Sequence, residues 1–142
     1  MVATRSAPAL RVLLQILRAQ DSGDPFAFRF APQDYILPTV GGDSPTARFD
    51  WTEDLLSDLQ TIRQPGRDAA VVQRIGGRLR SFIKNGGWEA HEREIAQAVT
   101  EHRRIVVTIR SSAAEMYALP WELLTLKSGQ CIGEVEGLLL RF

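Results

Sequence analysis

The chain has 142 residues, 44% of them hydrophobic, and 17 basic residues balance 17 acidic ones. That length suits one domain with a buried core, and zero net charge leaves no field favouring nucleic acid, a membrane surface or an acidic substrate. A single cysteine, Cys131, excludes an internal disulfide, and Cys and His form no cluster at metal-ligand spacing, so a cytoplasmic protein without cofactor or metal is expected.

Arg5, Arg11 and Arg18, with no acid before Asp21, give the first residues an organelle-transit composition. Gln15 and Arg18 interrupt the apolar run, however, and leave it too short for a signal-peptide core or a membrane span. Leu10, Leu13, Leu14 and Leu17 suit a helix, whereas Leu10, Val12, Leu14 and Ile16 suit a strand. The next segment decides: in "FAFRF", Phe26, Phe28 and Phe30 alternate with Ala27 and Arg29, so two strands around a polar turn form an expected hairpin.

Residues 38–47, "PTVGGDSPTA", read as a loop. Asp50 then offers a cap with Glu53 three residues on, and the helix it opens buries Leu55, Leu56, Leu59 and Ile62. A second helix starts near Asp68, carries Val71, Val72, Ile75, Leu79, Phe82 and Ile83 on one face, and stops at "NGG". Gly76 and Gly77 inside it cost roughly 1 kcal/mol each against alanine. Their mid-helix position suits close approach by a neighbouring element and not a phosphate cradle. A third helix, from about Trp88 to His102, sets Trp88, Ile95, Ala98 and Val99 against the charged run "EAHERE". Ile105, Val106, Val107 and Ile109 then form a short β-branched run, the pattern of a central strand buried on both faces in an α/β sheet.

The residues that carry chemistry elsewhere are sparse here. His102 at a helix end suits capping of terminal carbonyls or the helix dipole, and His91 a surface position. Cys131 follows "KSGQ", a turn, and precedes Ile132 in an expected short strand, where a half-buried structural role outweighs a nucleophile paired with either histidine. Glu53 with Asp54, and Glu134 with Glu136, read as solvent-facing positions at element ends. No triad, metal spacing or nucleotide loop emerges.

A strand "RIVVTIR", a loop "AAEMYA", the box "LPWELL", a glycine turn and the apolar "GLLLRF" ending near Arg141 together resemble the N-terminal half of the CHAT domain, a caspase-like family of mainly bacterial cysteine peptidases. The resemblance implies a three-layer α/β sandwich made, in this segment, of a β-hairpin, helices, a central strand, an "LPWE" helix and a terminal hairpin. Pro120 suits the first turn of that helix, Trp121 fills the space beneath it, and Glu122 bonds its backbone donors; these are structural roles, with no catalytic residue in this chain. In the family, the catalytic His and Cys lie after this box, and no "HG" or second cysteine follows it here. The segment is therefore expected to be inactive alone and to scaffold a His/Cys dyad supplied C-terminal to Phe142. The implied partners are the C-terminal half of the domain, a protein or peptide substrate, and a sensor such as a cyclic-oligonucleotide-binding or helical-repeat domain in bacterial defence or cell death. Nucleic acid and membrane are not expected partners. Two other classes stay open: a non-catalytic interaction module or one subunit of a split protease, and a small enzyme built on Cys131 with His91 or His102.

Overall fold

The structure, a computed structural model, describes residues 8–19, 30–66 and 68–142. Eight regular elements follow one another: β1 (Leu10–Arg18), β2 (Gln33–Ile36), β3 (Thr46–Phe49), α1 (Glu53–Thr61), α2 (Ala69–Ile83), α3 (Trp88–Thr100), β4 (Ile105–Ser111) and β5 (Leu138–Arg141). The five strands form one mixed sheet in the order β3-β2-β1-β4-β5. β1, β4 and β5 run parallel, with Leu10, Ile105 and Leu138 in one row, whereas β2 and β3 are antiparallel additions at one end. The chain is thus mixed α/β, with one sheet and three helices around a single hydrophobic core.

Strand geometry sends successive side chains to opposite faces, and here the two faces differ. Val12, Leu14, Ile16, Ile105, Val107 and Ile109 are buried on one. The other carries Arg11, Leu13, Arg110, Leu139 and Arg141, all exposed, with Val106 and Thr108 half-buried. The expectation that the β4 run is buried on both faces is therefore corrected. Its lateral position is central, but only alternate residues reach the core.

The strand at β1 is as expected, whereas the expected partner "FAFRF" falls almost wholly outside the described residues. Residues 26–29 lie outside the described residues, and Phe30 belongs to no strand; its ring meets Trp51 edge-on at 5.0 Å. Among the described residues β1 pairs antiparallel with β2, through Leu17 opposite Ile36 and Arg18 opposite Tyr35. The 38–47 loop is two residues too long, because Thr46 and Ala47 already pair with Ile36 and Tyr35 in β3.

The cap of α1 also moves. Asp50 accepts from Arg48 Nε at 2.9 Å, and Thr52 takes the N-cap, its hydroxyl accepting from Leu55 N at 3.2 Å. At α2 the expected cap holds: Asp68 accepts from Ala70 N at 2.8 Å. Gly76 brings α2 against the segment after β4. A Cβ there would lie 2.0 Å from Thr125 Oγ1 and 2.3 Å from Leu123 O, while one at Gly77 would meet nothing within 4 Å. α3 ends on His102, which adopts φ 54° so that Arg103 N reaches Ala98 O at 2.9 Å. That is a Schellman-type close made by backbone, with histidine in the left-handed position that glycine usually fills.

Between β4 and β5 the chain makes short 3-10 turns at Ala114–Ala118, Trp121–Leu123 and Ile132–Glu134. The "LPWE" element is therefore a single turn and not a full helix. The expected terminal hairpin is corrected too. Only Thr125 and Cys131 bridge in antiparallel fashion, and β5 joins β4 in parallel after a crossover.

Candidate functional site at the carboxyl ends of the parallel strands

In open α/β sheets, ligand sites gather beyond the carboxyl ends of the parallel strands. Here β1 ends at Arg18 and β4 at Ser111, and side chains tie the two ends together. Ser111 Oγ donates to Ile16 O at 2.6 Å, and Arg18 N donates to Ser112 Oγ at 3.1 Å. The Tyr117 hydroxyl donates to Ser111 O at 3.1 Å while accepting from Ser111 N at 2.8 Å.

Past Ser112 the chain turns through Ala114–Ala118 and places Glu115 in the interior with no solvent exposure. Its carboxylate accepts from the Arg18 guanidinium through Nε and a terminal nitrogen, from Gln33 Nε2 at 3.1 Å and from Tyr35 Oη at 2.8 Å. Trp51 Nε1 in turn donates to Tyr35 Oη at 3.1 Å. Burial lifts the Tyr35 phenol far above the ordinary tyrosine range. Donation from Trp51 pulls it down, and the hydrogen bond to Glu115 with that residue's negative charge pushes it up again.

The arrangement is a buried ion pair. One Glu115 oxygen receives three donors and the other the second Arg18 nitrogen, and with no solvent exposure the carboxylate is held by its neighbours and out of reach of a substrate. Its work is positional: it joins β1, β2, the start of α1 and the turn after β4. None of its members was singled out from the sequence, because Arg18 and Glu115 stand 97 residues apart. The one available signal was a carboxylate set in an apolar run, "SSAAEMYALPW".

Among the residues predicted from sequence, Pro120 precedes the 3-10 turn, and Trp121 is fully buried, with Nε1 donating to Met116 O at 2.7 Å. Glu122 is exposed, and its carboxylate makes no hydrogen bond among the described residues, so it does not cap the turn. Its backbone is what matters locally, since a Cβ on Gly133 would lie 3.0 Å from Glu122 O. Arg141 sits exposed on β5. Cys131 is buried in the Thr125 bridge, not in a strand, and its thiol is pushed up by desolvation and by neighbouring Glu134, opposite to the lowered pKa a nucleophile needs. His91 Nδ1 lies 3.6 Å from Glu94 and lacks a hydrogen bond, and exposed His102 serves α3 through its backbone, not its imidazole. The acidic pairs Glu53 with Asp54 and Glu134 with Glu136 are exposed.

Among the described residues no group of three or more His, Cys, Asp or Glu side chains can hold a metal ion. No described helix is long and apolar enough to cross a membrane. No protein-family model, curated protein or solved structure matches the chain.

Proposed function

We propose that this chain is the scaffold portion of a CHAT-type, caspase-like cysteine protease of the cytoplasm, laid out as one part of a three-layer sandwich. The observation that carries the reading is the open side of the parallel sheet. Among the described residues β5 is hydrogen-bonded to β4 on one flank only, and the "LPWE" turn is wedged by buried Trp121 in the crossover that delivers it. Further parallel strands laid on β5 would bring a His/Cys dyad to the carboxyl-end edge, level with the rigid Arg18–Glu115 cluster. The dyad would attack a peptide carbonyl through a thiolate, with the histidine moving protons and backbone amides holding the oxyanion. This chain supplies the platform and no reacting group, and a sensor domain would gate the assembled protease in a defence or cell-death response.

The reading is tested on native protein isolated from its source by antibodies to residues 1–142. The isolate is treated with an electrophilic peptide ketone that alkylates active cysteine proteases, and the label is mapped. Labelling of a cysteine other than Cys131, blocked by alkylating a neighbouring histidine, supports the proposal. An isolate that takes no label, or takes it on Cys131, removes it. The first of these outcomes leaves the non-catalytic interaction module.

A further inference from the structure

Strand β1 is two-sided, and only one side is fully used. Leu10 N donates to Arg104 O, and Ile16 O accepts from Ser112 N, which fixes the N–H and C=O groups of Leu10, Val12, Leu14 and Ile16 toward β4. The groups of Arg11, Leu13, Gln15 and Leu17 point the other way. Leu17 meets Ile36 of β2, and Ala19 N reaches Asp34 O, but there the ladder stops. Continued antiparallel register would set Pro38 opposite Gln15. Proline has no N–H to donate, and the chain leaves the sheet through the Thr39–Gly42 turn, where Gly42 N donates to Thr39 O.

Six backbone groups, on Arg11, Leu13 and Gln15, are thus left without a backbone partner among the described residues. They border a groove of about 580 Å³ that is also lined by Pro38, Thr39, Val40, Gly87, His91 and Glu94. Leu13 is 46% exposed in it, and Val40 94%. The Arg11 guanidinium makes no ion pair or hydrogen bond among the described residues. Unlike the flank of β5, this edge is bordered by the 38–40 turn and by the start of α3, whose side chains would lie beside an added strand and restrict what can pair there.

We propose that the open edge of β1 binds an extended peptide from a protein partner as an added strand, with one acidic residue of the peptide beside Arg11 and apolar residues against Leu13 and Val40. Main-chain hydrogen bonds to Arg11, Leu13 and Gln15 hold the peptide, and alternate side chains select it. The edge spans five residues, roughly 16 Å of strand. Glu94, in the lining of the same groove, repels a second acid, so the charge pattern also sets the register. The proposal is independent of the protease reading, since it concerns this chain's own surface and needs no catalytic group.

The test uses the full 142-residue chain and a capped peptide, acetyl-Val-Glu-Val-Thr-Val-amide, with amide hydrogen exchange read residue by residue. At saturation, exchange at Arg11, Leu13 and Gln15 slows by on the order of tenfold or more while Leu139 and Arg141 are unchanged. Of two analogues N-methylated on alternate amides, the one whose methyls face β1 loses binding and the other keeps it. Arg11→Glu weakens the acidic peptide by about tenfold, and a lysine-for-glutamate peptide recovers the loss. The proposal is overturned by no slowing at about 1 mM peptide, by equal binding of the two methylated analogues, or by protection at β5 instead. Slowing at the three residues that rises with protein concentration without peptide would assign the edge to a second copy of the chain and overturn it equally.

Discussion

Replacing Gly76 by alanine tests whether α2 sits where it does because that residue has no side chain. The added Cβ would lie 2.3 Å from Leu123 O, where ordinary contact begins at 3.4 Å. Thr125 can rotate its hydroxyl away, but the Leu123 carbonyl is backbone, so the helix must withdraw by roughly 1 Å and overpacking of this kind costs about 1–3 kcal/mol. Withdrawal also weakens the Thr125 N to Gly76 O hydrogen bond, already 3.4 Å long, for about a further 1 kcal/mol. Against this stands alanine's helix propensity, worth about 1 kcal/mol. The net expectation is destabilisation by roughly 1–3 kcal/mol. Gly77→Ala is the control, since its Cβ meets nothing within 4 Å, and it should stabilise by up to about 1 kcal/mol. In urea unfolding the two midpoints should separate by about 1–2 M, with Gly76→Ala below the parent and Gly77→Ala above it. Equal stabilisation by both would refute the close approach of α2 to the Leu123–Thr125 segment.

Glu115→Ala removes the buried carboxylate that Arg18, Gln33 and Tyr35 share and should cost about 3–5 kcal/mol in denaturant unfolding, whereas exposed Glu122→Ala should stay within about 0.5 kcal/mol of the parent; similar losses for the two would contradict the burial of the cluster. Because the Tyr35 pKa is raised on folding, the native state holds its proton where the unfolded chain releases it. Stability from this group is complete below about pH 10 and falls above it, at up to about 1.4 kcal/mol per pH unit, and Tyr35→Phe should flatten that alkaline slope. Cys131, buried with its thiol pushed up, should react with iodoacetamide at pH 7 more than about tenfold slower than a cysteine peptide and recover the peptide rate on unfolding.

Local signals in the sequence carried the helices well. Asp68 and the period from Val71 to Ile83 place α2, and the mid-helix Gly76 announced a close neighbour without naming it. Asp50 misled because it is as good a cap residue as Thr52. What separates them is tertiary: Trp51 is buried with its indole N–H on Tyr35, and Arg48 occupies the Asp50 carboxylate. β2 and β3 are four residues each, too short for their alternation to stand out in the sequence. The parallel direction of β5 and the Arg18–Glu115 pair were not legible at all, because each depends on which distant segments meet and no local period records that. The same holds for the open edge of β1, which exists only because Pro38 falls opposite Gln15 once register is set.

The pairing of β1 with β4 also has a consequence in time. Each residue of β1 from Leu10 to Ile16 meets a partner 95 positions later in the chain. At ribosomal elongation rates β1 therefore waits roughly 5–19 s for its neighbour to be made. During that interval "LRVLLQILR" pairs, among the described residues, with β2 at Leu17 and Arg18, and the rest of this largely apolar strand still awaits β4. Arg11, Gln15 and Arg18 are spaced through it, and their charge and polarity keep the newborn segment from pairing with its copies on neighbouring ribosomes.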